Sequence, residues 1–142
     1  MNRHRCRSVL PWLAVLGLSA GCEKLPAAPE LPNELPVTNF SFTPVAPIYA
    51  GETKVAFSAL GSHDDDGHIV SYVWNFGDGT PEQTTTDPNL PHMFPDTSAR
   101  CMTITYGVML VTVDDRGGRG VASQSVTVTE LPAPTAPECL GR

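Results

Sequence analysis

The sequence has no apolar run long enough to cross a bilayer, no stretch with sustained helical spacing and no nucleophile motif. The longest apolar stretch, Val9 to Leu18, is interrupted by Pro11, whereas a helical span needs about 20 residues. A transmembrane anchor is therefore not expected. The missing helical period rules out a bundle or an α/β layer as the main architecture. Serine, histidine and aspartate are all present, but no Gly-x-Ser-x-Gly or related pattern places them for catalysis. With 142 residues there is room for a single domain of roughly 100 residues, so the chain is read as non-enzymatic. Aromatics are few, at 7%, and most fall on core-patterned positions, which argues against an exposed aromatic platform for sugars.

The N-terminus has three parts. Arg3, His4, Arg5 and Arg7 form a basic patch, the apolar stretch follows, and Ser19-Ala20-Gly21 leads into Cys22. This is the layout of a signal peptide, expected over residues 1–21. Leu18-Ser19-Ala20-Gly21-Cys22 resembles the lipobox of bacterial lipoproteins, in which the cysteine is acylated and becomes the new N-terminus. The family prefers leucine where Ser19 stands. The resemblance implies lipidation of Cys22, a membrane partner through the lipid anchor and a cell-envelope location. Glu23, where an aspartate would resemble an inner-membrane retention signal, favours the outer membrane if the cell is Gram-negative. Cleavage would remove three of the nine basic residues and none of the 15 acidic ones, leaving a net charge of −9. Phosphate backbones repel such a chain, so nucleic acid is not an expected partner.

Residues 22–36 are proline-rich and without period, as expected of a semi-rigid tether, and a similar tail occupies 131–142. Between them, over 37–130, the pattern alternates with period two. Strands are expected at Phe40 to Phe42, Val55 to Ala59, Ile69 to Phe76, Tyr106 to Val113 and Val121 to Thr129. The third carries Val70, Tyr72, Trp74 and Phe76 on one side. Ala50-Gly51-Glu52, Asp66-Gly67, Asp78-Gly79 and Gly117-Gly118 mark turns, with positive φ expected at Asp-Gly. The expected fold is all-β, an immunoglobulin-like β-sandwich with Trp74 in its core. Asp78 is expected to order its own loop.

Tyr72-Val73-Trp74-Asn75-Phe76-Gly77-Asp78-Gly79-Thr80 resembles throughout the most specific motif of the PKD (polycystic kidney disease) domain family, found in extracellular bacterial proteins such as collagenases and chitinases. Ala50-Gly51-Glu52, the loop Ser62 to Gly67, His92-Met93-Phe94 and Tyr106 to Asp115 support it, and the resemblance covers Val37 to Thr129. The chain departs from the family in the long segment between Phe94 and Tyr106, and in the apolar outward positions Met109, Val111 and Val113. Those three imply either a bulge or a covering group such as the C-terminal tail. By resemblance to collagenase PKD domains, Asp64, Asp66 and Asp114 (Asp115 if the strand is bulged) are candidate ligands for Ca²⁺. The alternative is a solvated acidic turn.

With Cys6 removed with the signal and Cys22 acylated, Cys101 and Cys139 remain. Outside the cytoplasm they are expected to form a disulfide, the alternatives being free thiols or an intermolecular bridge. The function expected is a cell-envelope lipoprotein whose one PKD domain mediates protein or polysaccharide interaction at the cell surface. The alternative is a structural spacer or accessory subunit of a larger envelope assembly.

Overall fold

The computed structural model describes residues 30–97 and 102–130. The expected signal peptide, Cys22, Cys101, Cys139 and the tail after Glu130 lie outside the described residues. Of the first 30 residues only Glu30 is described, and it is exposed. Among the described residues no helix is long and apolar enough to cross a membrane.

Seven strands succeed one another along the chain: β1 (Ser41–Thr43), β2 (Lys54–Ser58), β3 (Ile69–Asn75), β4 (Gln83–Thr85), β5 (Asn89–Met93), β6 (Thr103–Asp114) and β7 (Arg119–Thr129). They form two antiparallel sheets, one ordered β1-β2-β5 and the other β4-β3-β6-β7. The alternation in the sequence places one face of each sheet inward. Val55 and Phe57 come from β2, Tyr72 and Trp74 from β3, Val108 and Leu110 from β6, and Val126 and Val128 from β7. Trp74 is completely buried and lies between Phe40, 5.2 Å away edge-on, and Phe57 at 5.7 Å. A side chain of that size removes 150–250 Å² from water, so its burial contributes up to about 4–6 kcal/mol.

Simple alternation breaks where β3 meets β6, because their pairing shifts between Ile69 and Ser71. This bulge turns Val70 outward, 40% exposed, while Tyr72, Trp74 and Phe76 keep the inward positions. The expectation that Val70 shares their side fails because a bulge inserts one residue and resets the phase. In the turns, positive φ occurs at Gly51, Gly77, Gly79 and Gly117 but not at Gly67. At Gly77, with φ 71°, a Cβ would also lie 2.6 Å from the Gly107 carbonyl oxygen, so both conformation and space demand glycine there.

The segment before β1 packs on the domain rather than leading freely away from it. Val37 and His63 exchange backbone hydrogen bonds of 2.8 and 3.0 Å, Pro36 is buried, and the Thr38 hydroxyl meets that of Thr112 at 2.6 Å. Further on, the Tyr49 region runs parallel to the end of β7, with Thr129 N–H donating to the Ile48 carbonyl at 2.8 Å.

Candidate functional site

The loop before β3 and the turn between β6 and β7 emerge at the same end of the sandwich, and their carboxylates face one another. Asp114, the last residue of β6, is almost fully buried and uses its oxygens on protein donors. Its Oδ1 accepts from the N–H groups of Arg116 and Gly118, both at 2.8 Å, and its Oδ2 accepts from Asn33 Nδ2 at 2.8 Å. Burial by itself would raise this carboxyl, but these bonds outweigh it and hold Asp114 below the usual aspartate range. Asp114 thus closes the β6–β7 turn and binds the incoming chain at Asn33.

Asp64 is in the opposite state. Both its carboxylate oxygens, and Oδ1 of Asp66, are buried without a hydrogen-bond partner. Burial, followed by the negative charges of Asp66, Asp114 and Asp115, pushes the Asp64 carboxyl up. Gly67 explains how the loops come so close. A Cβ there would sit 2.6 Å from Asp64 Oδ2 and would collide with Asp115 Oδ1, so any side chain at 67 would displace both carboxylates, and a positive φ is not the reason for glycine here. The remaining oxygen of Asp66 is occupied: Arg116 Nη2 approaches Oδ2 at 3.0 Å and Glu34 N–H donates to it at 3.2 Å. Arg116 also donates to the Asp66 carbonyl at 2.8 Å, which makes it the cluster's own counter-charge.

Three acids named from the sequence, Asp64, Asp66 and Asp114, are therefore neighbours, and Asp115 shares the Gly67 cradle with Asp64. Among the described residues no three histidine, cysteine or acidic side chains form a ready coordination set for a metal. The chemistry of the donors still fits a hard cation. Unpartnered carboxylate oxygens of Asp64 and Asp66 are the ligands Ca²⁺ prefers, and a cation would offset the burial and the like-charge repulsion that together raise Asp64. His63 leans on Asp65 and His68 on Asp115, each at 3.7 Å, so the histidines are directed to separate carboxylates.

A second buried polar group was only half visible in the sequence. Asp78 orders the Gly77–Thr80 turn as expected, its Oδ1 accepting from Thr80 N–H at 3.0 Å and from the Thr80 hydroxyl at 2.6 Å. Its Oδ2 also meets His92 Nε2 at 2.6 Å, with side-chain exposures of 0% for Asp78 and 6% for His92. The His92 ring stacks on Phe76 at 3.7 Å. The pair joins the β3–β4 connection to β5 across the two sheets. Glu130 is likewise buried, its Oε1 accepting from Thr97 N–H at 3.2 Å and from the Thr97 hydroxyl at 2.8 Å.

The surfaces differ in character. On the outside of the β1-β2-β5 sheet, small Ala56 lies between Thr43 and Pro91 in register, leaving a shallow, mainly apolar hollow of about 200 Å³ rimmed by Ser41, Ser58 and Asn89. On the other sheet Met109, Val111 and Val113 face outward despite the bulge, because the shift falls at Ile69/Ser71 and the rungs from Ser71 to Asn75 stay in phase with β6.

Residues 33–129 match the family model described as the PKD domain. The chain belongs to the PKD domain family. Its PKD domain is 37% identical over 84 residues to Collagenase ColQ1 of Bacillus cereus (strain Q1), an alignment covering 58% of this chain and 8% of the collagenase. It thus corresponds to a small part of that much longer protein. Among solved structures, one described as the structural basis for the promiscuous specificity of carbohydrate-binding modules from the β-sandwich superfamily aligns with TM-score 0.60 and 34% identity. That alignment covers 72% of this chain and 36% of the other. The PKD1 domain of Vibrio anguillarum Epp aligns with TM-score 0.52 and 29% identity, covering 71% of this chain and 100% of that domain. The match beginning at residue 33 agrees with the contacts of Asn33 and Glu34 on the acidic loops.

Proposed function

We propose that this chain is a non-enzymatic lipoprotein of the cell envelope, anchored through Cys22, whose PKD domain mediates protein or polysaccharide interaction at the cell surface. The observation that carries the reading is the PKD domain itself, which accounts for residues 33–129 and is an accessory, binding-type module in the proteins it resembles. The described residues contain the fold, its acidic end and two open sheet faces. The carbohydrate side of the proposal draws on the 34% identity to the carbohydrate-binding-module structure and on the polar-rimmed hollow around Ala56. Binding of the protein to a panel of immobilised envelope and extracellular polysaccharides, with crosslinking in intact cells for protein partners, tests it. Retention on a polysaccharide or crosslinking to a defined surface protein supports an interaction module, and failure of both removes it. Mass spectrometry of the mature N-terminus tests the anchor, since an unmodified Cys22 would leave only export.

Calcium belongs to this reading. When bound, it would supply a counter-charge to Asp64 and Asp66 and tie the β2–β3 loop to the β6–β7 turn. Asn33 and Glu34 already dock on that end, so the ion would also fix the direction in which the tether leaves the domain. A spacer or accessory-subunit role is the second reading, favoured by the apolar outer face at Met109, Val111 and Val113.

A further inference from the structure

Arg116 leaves the β6–β7 turn and reaches the loop before β3, 50 positions earlier in the chain. Its Nη2 donates to the Asp66 carbonyl at 2.8 Å and pairs with Asp66 Oδ2 at 3.0 Å. The other oxygen of that carboxylate, Oδ1, is buried without a hydrogen-bond partner, as are both oxygens of Asp64. One carboxylate is thus shared between a guanidinium and the oxygens that a cation would take. The Arg116 side chain is 40% exposed, while its backbone N–H is used separately, donating to Asp114 Oδ1 at 2.8 Å. The side chain can therefore be exchanged without opening the turn.

We propose, resting on the calcium reading given above, that Arg116 is an internal competitor of the ion. It ties the two loops together when calcium is absent and sets a low affinity when calcium is present. Arg116 already does what the ion would do, joining the loop before β3 to the β6–β7 turn and bringing a positive charge to Asp66. It also takes Asp66 Oδ2 and the Asp66 carbonyl, two oxygens of the kind that Ca²⁺, which needs about six to eight, coordinates. Its charge stays beside the ligands. A unit charge within about 6 Å of a divalent ion weakens binding by about tenfold even at the dielectric of bulk water. Against this, the guanidinium helps to hold Asp66 in place. That help is the smaller effect, because Asp66 is a short side chain and keeps its bond from Glu34 N–H at 3.2 Å when Arg116 is exchanged. Removing the charge should therefore tighten calcium binding, and keeping it holds the affinity in the millimolar range of extracellular modules.

The test is calorimetric titration of the full chain with calcium chloride, from about 10 µM to about 20 mM to bracket extracellular-type sites, on wild type, Arg116→Gln and Arg116→Lys. Arg116→Gln loses the charge and should bind calcium about tenfold more tightly than wild type. Arg116→Lys keeps the charge and should stay within about threefold of wild type. Melting temperatures separate competition from a merely structural role. In chelator Arg116→Gln should melt below wild type, because the loops have lost their tie, and in saturating calcium the difference should close. A structural role alone would lower both by the same amount. A gain in Arg116→Gln of less than about threefold, an equal gain in Arg116→Lys, or a melting difference that calcium leaves unchanged would each overturn the proposal. Binding by wild type without a gain in Arg116→Gln leaves the calcium reading standing, whereas no binding by either removes both. Binding by Arg116→Gln alone supports the proposal, since the guanidinium then keeps the ion out.

Discussion

Replacing Asp78 by alanine tests the interior of the domain most directly, because three short hydrogen bonds end on that one carboxylate. Asp78→Ala removes the acceptor of the Thr80 N–H and hydroxyl and leaves His92 beneath the surface without its partner. Leaving a buried donor without its acceptor costs about 1–3 kcal/mol, more where the lost acceptor is ionised, so the three donors together lose on the order of 3–5 kcal/mol, and a domain of this size loses about 4–8 °C per kcal/mol. The melting temperature measured by circular dichroism at neutral pH should therefore fall by on the order of 15–30 °C. Asp78→Asn keeps an oxygen for Thr80 and an amide beside His92, and should lose roughly half as much.

The same pair gives a pH signature. Burial tends to raise the Asp78 carboxyl, but the bonds from Thr80 and His92 win and hold it below the ordinary value of 3.8. Its folded pKa is thus below its unfolded one. The stabilisation it provides is complete above 3.8 and is lost as pH falls through the lower, folded value. The difference in stability between wild type and Asp78→Asn should shrink as pH falls below 3.8. A change in melting temperature under about 4 °C for Asp78→Ala, within the reach of one kcal/mol, would refute the account of the pair as a link between sheets.

Four further outcomes are expected. Calcium at millimolar concentration should raise the melting temperature by several degrees relative to chelator, as mass action on a weak extracellular-type site predicts, and Asp64→Asn should abolish the rise; an unchanged wild type would leave the acidic end a solvated turn. In chelator, Asp64→Asn should itself be stabilising at neutral pH. The Asp64 carboxyl is raised in the fold, so its contribution favours the folded state below 3.8 and is lost as pH rises through the folded value. Trp74→Ala should cost about 3–5 kcal/mol through the cavity it leaves, read as a lower urea midpoint, and Gly77→Ala should cost roughly 1–3 kcal/mol because φ 71° and the Gly107 carbonyl both oppose a side chain.

How far each element is legible in the sequence depends on how local its cause is. The β2, β3, β6 and β7 strands announce themselves because alternation over five or more residues is a local property, and Trp74 is core because it falls on the inward phase of the longest such run before the Gly-Asp-Gly turn. β4 is three polar residues, Gln83 to Thr85, held only by pairing with β3, so its cause lies in another strand. The outward turn of Val70 is hidden for a similar reason, as the bulge is set by the register of β3 against β6. Asp78 is legible as a turn residue, but its partner His92 is 14 positions away on β5. The one available signal is that both fall in motifs of the same family.

The acidic end shows where composition stops being informative and geometry takes over. Five aspartates in two loops look equivalent in the sequence, yet the fold gives them different tasks. Asp114 has its oxygens filled by backbone N–H groups and Asn33, and it is held ionised. Asp66 is half neutralised by Arg116. Asp64 is left with both oxygens unpartnered beside like charges. A merely solvated turn would let these carboxylates swing apart into water, which costs nothing for exposed side chains. Gly67 instead packs the two loops so closely that Asp64 and Asp115 share the space of one missing methyl group. Like charges held together raise the energy of the fold; Arg116 offsets this at Asp66, and in the calcium reading proposed above a cation would offset it at Asp64. Glycine at 67 is therefore the residue that separates the two readings. Gly67→Ala should displace the Asp64 and Asp115 carboxylates and ease the repulsion in chelator, and it should abolish the calcium-dependent rise in melting temperature even though every carboxylate remains.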